Sequence, residues 1–167
     1  MNKFESHFEK MDLFEMLKRE TAVVHERVMD ETWAQRVLSA DYTLPEYREL
    51  LQKYYGFYLP LETVLLALGE SVFDPSRAKH SFLQEDLSFL NSTDCLDPVI
   101  CPKIPEMGDV PSALGLCYVL EGATLGGQMI AKHLNISLGL TQSEGLKFFS
   151  GYGSETGKMW NSFKAHT

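Results

Sequence analysis

The sequence predicts an all-α, single-domain helical bundle. Three observations carry that expectation. Apolar residues recur at i, i+3 and i+4 along most of the chain. Ser/Thr-x-x-Glu boxes and prolines punctuate it as helix starts and breaks do. No stretch alternates apolar and polar residues for long enough to read as a strand.

The elements follow in order. Leu13, Phe14, Leu17, Thr21, Val24, His25 and Val28 form one stripe, with Lys18, Arg19, Glu20, Glu26 and Arg27 mostly outside it. Thr43-Leu-Pro-Glu46 is a capping box with proline in the first turn, so a second helix begins there. It runs through Tyr47, Leu50, Leu51, Tyr54 and Tyr58 towards Leu68, and Pro60 is expected to kink or divide it by removing an N–H donor. Asp74-Pro75 predicts another helix start, with Phe82, Leu83, Leu87 and Leu90 as the buried side. Prolines 98, 102, 105 and 111 make residues 91–111 the longest expected loop. A glycine-bearing helix follows from Pro111. Thr141-Gln-Ser-Glu144 reads as a second capping box opening a short helix through Phe148 and Phe149. Gly151-Tyr-Gly153 turns the chain into a last segment holding Met159, Trp160 and Phe163. The total is roughly six helices by this periodicity.

Composition bounds the function. A chain of 167 residues with 44% hydrophobic and 23% charged residues is an ordinary globular domain. A formal charge of −8 argues against a phosphate-binding surface and hence against nucleic acid. The N-terminus, Met1 to Lys10, lacks a signal-peptide core, and no apolar run approaches membrane-spanning length, so a cytoplasmic protein is expected. Cys95, Cys101 and Cys117 form no CxxC pair, which suits a reducing compartment. Cys101-Pro102 is a dipeptide seen in some haem-responsive proteins, and a plain loop cysteine is the stronger reading of it.

Chemistry rests on few residues. HExxH, Walker, GxSxG and paired ExxH motifs are all missing from the sequence. Tyr118 to Leu134 reads as a helix, yet it carries Gly122, Gly126 and Gly127 in its interior. Each glycine there costs about 1 kcal/mol relative to alanine, so something is expected to approach the bare backbone. Gly122 and Gly126 share a face and Gly127 widens it sideways, giving a groove fit for another helix or a flat ligand. His7 and His166 are near the ends and His80 adjoins a lysine, which leaves His25 and His133. A histidine on the first stripe is either a satisfied core residue or an axial ligand to haem iron. Lys18, two turns before His25, and Lys132, late in the glycine helix, are candidate partners for two acidic propionates.

Leu17-Lys-Arg-Glu-Thr-Ala-Val-Val-His-Glu-Arg-Val28 resembles the first helix of haem oxygenases. Tyr118-Val-Leu-Glu-Gly-Ala-Thr-Leu-Gly-Gly-Gln128 resembles their distal helix, in the version of bacterial enzymes that accompany bacteriophytochromes. Phe148-Phe-Ser-Gly-Tyr-Gly153 and Trp160-Asn-Ser-Phe163 look like the segments that follow. The resemblance spans about residues 13 to 163 and implies a haem oxygenase-like bundle. It further implies a monooxygenase that opens haem to biliverdin, carbon monoxide and iron. Haem is then both substrate and cofactor, His25 is the iron ligand, and Gly122, Gly126 and Gly127 are the distal catalytic wall. Dioxygen and electrons come from outside, through a ferredoxin or an NADPH-dependent reductase, and a bacteriophytochrome is the candidate acceptor of biliverdin. A neutral histidine does not strongly promote O–O cleavage as a thiolate does, and bare backbone offers no side-chain acid, so ordered water would relay protons.

The sequence departs from the family pattern at two places. Ala123 stands where animal-type enzymes carry an aspartate that organises distal water. Residues 1–167 also end soon after Phe163, so the domain is read as lacking the family's usual final C-terminal helix. Two alternatives remain open at this stage: a noncatalytic haem-binding or haem-sensing protein, and a same-fold domain acting on a thiamine-like molecule. The second would use Cys117 and Glu121, one turn apart.

Overall fold

A computed structural model of the chain describes residues 13–90 and 99–166. His7, Cys95, Pro98 and the N-terminal decapeptide lie outside the described residues. Among the described residues the regular structure is all helical, and Thr141 pairs with Glu144 and Gly145 only as isolated bridges. Two compact units make up the chain, Met1–Val37 and Leu38–Thr167.

The first unit holds α1 (Leu13–Asp30) and α2 (Thr32–Val37). The expected stripe does form a helix, and the Thr21 hydroxyl bonds back to the Leu17 carbonyl at 2.7 Å. Glu31 makes the turn between the helices, donating its N–H to Val28 and accepting one from Ala34. No residue of α1 is buried. Val24 and Val28 are 58% and 42% exposed.

The second unit holds α3 (Leu44–Ala67), α4 (His80–Phe89), α5 (Val110–Leu138), α6 (Lys147–Ser150) and α7 (Thr156–His166). The Thr43 box is present: the Glu46 carboxylate accepts the Thr43 backbone N–H at 2.9 Å and its hydroxyl at 2.6 Å. Pro60 does not divide the helix, because α3 runs through it to Ala67. Asp74 does cap a start, accepting from Ser76 N–H, but of a single 3₁₀ turn over Pro75–Arg77. The α-helix begins only at His80. The second predicted capping box is a turn instead. Thr141 and Glu144 exchange backbone bonds, the Thr141 hydroxyl meets the Glu144 carboxylate at 2.9 Å, and α6 starts three residues later. The sequence pattern is the same in both cases, but here the backbone closes on itself rather than winding on.

Helix α3 packs on α4, α6 lies against both α4 and α5, and α7 lies along α5. Tyr47, Leu51, Leu61 and Leu65 of α3, Leu83 and Leu87 of α4, and Leu134 of α5 are fully buried in this core. Phe148 and Phe149 close it with an aromatic cluster that takes in Tyr47, Tyr54 and Tyr58. After residue 98 the chain crosses α3 at Gly56, where a Cβ would overlap the Val99 carbonyl, and Cys101 N–H bonds the Gly56 carbonyl at 3.0 Å.

Asp86 ties α4 to α6. It is 2% exposed, and its two oxygens accept the N–H groups of Lys147 and Phe148, each at 2.8 Å. Burial pushes this carboxyl up to about 6, against the pull of those two bonds. Between about pH 4 and 6 the folded chain therefore holds a proton that the unfolded chain has released, and this group's contribution to stability falls as pH rises through that window. Relative to Asp86→Asn, the wild type should gain about 1 kcal/mol on going from pH 7 to pH 5. Paired thermal melts at the two pH values measure this, and a gap that stays constant or widens the other way would refute it.

Candidate functional site

Helix α5 is built to be long and sharply bounded. The Asp109 side chain accepts the Ser112 N–H at 2.8 Å, and Pro111 occupies the first turn. Gly139, in the left-handed region at φ 71°, ends it. Ala113, Cys117, Leu120, Thr124, Gly127, Ala131 and Leu134 form its buried side. The opposite side is open and apolar: Val119, Leu125, Met129 and Ile136 are 54%, 44%, 54% and 78% exposed.

The three glycines divide between these sides. Gly127 is buried, and a Cβ there would stand 2.9 Å from the Phe149 carbonyl oxygen, so it is the close-packing glycine that lets α6 approach. Gly126 faces outward, with nothing within 4 Å of where a Cβ would be. Gly122 lies beside the Trp160 indole, whose edge is 4.0 Å from the same position. The expected groove floor thus reduces to Gly126, with Gly122 at its rim and Ala123 exposed beside it.

A buried charge network underlies this helix, and of its carboxylates only Glu121 is a candidate in the sequence. Glu121 accepts Arg77 Nη1 at 2.7 Å, Lys79 Nζ at 2.8 Å and the Tyr152 hydroxyl at 2.8 Å. Glu121 and Lys79 are 1% and 2% exposed. Burial and the Glu121 charge hold the Tyr152 phenol protonated far above its usual range, so it is a donor here. Glu62, wholly buried, accepts the backbone N–H groups of Lys79 and His80 and meets His80 Nδ1 at 2.7 Å. Charge removed from water needs such pairing. Only the chain's long-range folding brings positions 62, 77, 79, 121 and 152 together, so no local spacing announces it.

Cys117 is buried, its thiol directed at the Val72 carbonyl at 3.8 Å. Burial and then the Glu121 charge push that thiol up to about 11. A thiol held protonated beside a carboxylate that already accepts three donors is a poor nucleophile–base pair. Cys101 is half-buried, with its thiol on the Lys103 carbonyl at 3.2 Å.

Of the histidines, His25 is exposed on α1, and its ring bonds to no other described residue. Lys18, also exposed, lies on the same side of α1 about 10 Å earlier. His133 is half-buried and its Nε2–H donates to the Ser39 carbonyl at 3.2 Å. His166 Nδ1 lies 2.7 Å from the Ser162 carbonyl. Lys132 is exposed on α5, about 9 Å along the axis from Gly126. Among the described residues no helix is long and apolar enough to cross a membrane.

Comparison with known proteins points one way. A relative named heme oxygenase, from Takifugu rubripes, is 25% identical over 156 residues, which is 83% of this chain and 56% of the relative. The chain thus spans little more than half the length of that relative. The family described as heme oxygenase matches residues 11–167. That match takes in α1, α5 and every element between and after them, and by it this chain belongs to the haem oxygenase family.

Proposed function

We propose that this chain opens haem to biliverdin, carbon monoxide and iron, using dioxygen and electrons from a separate protein. The observation that carries the reading is Gly126, a bare and open backbone position in the middle of an exposed apolar helix face. A glycine without close neighbours gains nothing from packing and lowers helix propensity by about 1 kcal/mol. Its use is to leave room over a flat ligand. Haem fits that face by chemistry: it is planar and largely apolar, and the side chains offered to it are valine, leucine, methionine and alanine.

His25 would hold the iron, since its imidazole is exposed and uncommitted among the described residues. Lys18 and Lys132, both exposed, would meet the propionates. Haem when bound supplies the metal at which dioxygen is reduced. The chain supplies the seat, the single nitrogen ligand and a distal surface without a carboxylic acid. With no acid at Ala123 or Gly126, the protons reach the site through water. The electron donor is a ferredoxin or an NADPH-dependent reductase, the setting is cytoplasmic, and a bacteriophytochrome is the candidate recipient of biliverdin.

Titration with ferric haem, followed by addition of a reductase with its electron source, tests this. A saturable Soret band followed by biliverdin absorbance and released carbon monoxide is expected. A Soret band with no turnover would replace the enzyme with a haem-binding sensor, and no Soret band at all would end both readings. The buried, proton-bearing Cys117 weighs against the thiamine-like reading.

A further inference from the structure

The glycine segment of α5 is gripped at both ends by side chains that hold the same turn. Glu121, immediately before Gly122, accepts the Tyr152 hydroxyl at 2.8 Å. Gln128, immediately after Gly127, donates through Nε2 to the Gly153 carbonyl at 2.6 Å and to the Thr156 hydroxyl at 2.7 Å. The two gripping residues are seven apart, about 10 Å along the axis, and so stand nearly one above the other. Their targets lie in one hydrogen-bonded turn, residues 152–156, that leads into α7. Glu155 N–H bonds the Tyr152 carbonyl at 3.1 Å, and the Thr156 hydroxyl bonds the Gly153 carbonyl at 2.9 Å.

Between the grips lie three glycines, Gly122, Gly126 and Gly127. Each weakens the helix by about 1 kcal/mol relative to alanine, so this is the softest part of α5. Thr124, midway, spends its hydroxyl on the Glu121 carbonyl at 2.6 Å and lies against Gly151. The upper grip is itself immobilised by Arg77 and Lys79 on the Glu121 carboxylate. Both grips lie on the side of the helix roughly opposite Gly126, at about 100° per residue. They can therefore fix the rotation and curvature of the open face without occupying it.

We propose that Glu121 and Gln128 are positioning residues: by clamping α5 to the 152–156 turn they set the height and rotation of the Gly126 face, and so determine which edge of the bound ring is attacked. This rests on the functional reading above. A helix free to rotate by even part of a turn would present its glycine over a different ring edge, and products would mix.

Glu121→Gln would leave Arg77 and Lys79 partly uncompensated and risks misfolding, so the test uses Gln128→Ala, Tyr152→Phe and the double variant. The first measurement needs no haem. Amide hydrogen exchange of residues 122–129 should speed up about tenfold or more in the double variant, while the α3 core amides stay as in the wild type. The second measurement, with haem and a reductase, is the distribution of ring-opened isomers by chromatography. The ratio of the major to the minor isomers should fall about threefold or more, a change that loss of folded protein alone would not produce. Unchanged exchange would overturn the clamp. Faster exchange with an unchanged isomer ratio would overturn the positioning role. A wild type that opens no haem would refute the functional reading, and exchange alone would then decide the clamp.

Discussion

Replacing His25 with alanine should abolish the histidine-ligated spectrum of bound haem, whereas His133→Ala should preserve it. In the sequence His25 ranks first, as the histidine on the first-helix stripe, and His133 is its rival on the glycine helix. The structure separates them. The His133 ring is half-buried and its Nε2–H is committed to the Ser39 carbonyl, so presenting that nitrogen to iron would first break a bond and expose a carbonyl. His80 is held at Nδ1 by the wholly buried Glu62, and His166 at Nδ1 by its own helix. His25 alone among the described histidines has neither ring nitrogen engaged by a described residue. Loss of the iron bond should weaken haem by about tenfold or more, equivalent to about 1.4 kcal/mol or more. Added imidazole should restore a nitrogen-ligated spectrum to His25→Ala by filling the vacated position. A His25→Ala protein with an unaltered Soret band, or a His133→Ala protein that loses it, would overturn the assignment. His7→Ala serves as the control for the histidine outside the described residues.

What the sequence made legible follows the range of each interaction. The helices could be read because periodicity and caps are local: Thr43 with Glu46, the helix start at Pro111, and the helix beneath the apolar stripe of α1 all stand as expected. The misreadings are also local in origin. Thr141-Gln-Ser-Glu144 satisfies the same hydrogen bonds in a turn as in a helix start, and the pattern does not distinguish them. Asp74 caps correctly, but the chain takes only one 3₁₀ turn before Lys79 must bring its backbone to Glu62. The glycines could be read as a group and not one by one. Whether a glycine admits another helix or leaves space depends on what lies across from it, and Phe149 lies across from Gly127 but nothing from Gly126. The network that joins Arg77 and Lys79 to Glu121 by ion pairs, and Glu62 to the Lys79 backbone, could not be read at all, because its members meet only through the tertiary fold.

The same division between glycines yields the sharpest mutational contrast. Gly126→Leu should leave the protein as stable as the wild type or more so, because leucine is the better helix former by up to about 1 kcal/mol and its Cβ meets no atom within 4 Å. Its side chain would instead fill the space over the open face that the functional reading assigns to dioxygen. Turnover of haem to biliverdin should then collapse, while binding of ferric haem survives at least in part. Gly127→Ala should do the reverse. Its Cβ would stand 2.9 Å from the Phe149 carbonyl oxygen, a backbone atom that cannot swing aside, so α5 and α6 must separate. Overpacking of that kind typically costs about 1–3 kcal/mol, only partly offset by the gain in helix propensity. Activity per folded molecule should change far less than in Gly126→Leu. Thermal melting and single-turnover biliverdin formation, measured on the same samples, separate the two effects. If Gly126 were merely another packing glycine, its leucine variant would melt lower and lose activity only in step with folding. A Gly126→Leu protein that is stable, binds haem and forms biliverdin at the wild-type rate would remove Gly126 from the distal surface altogether.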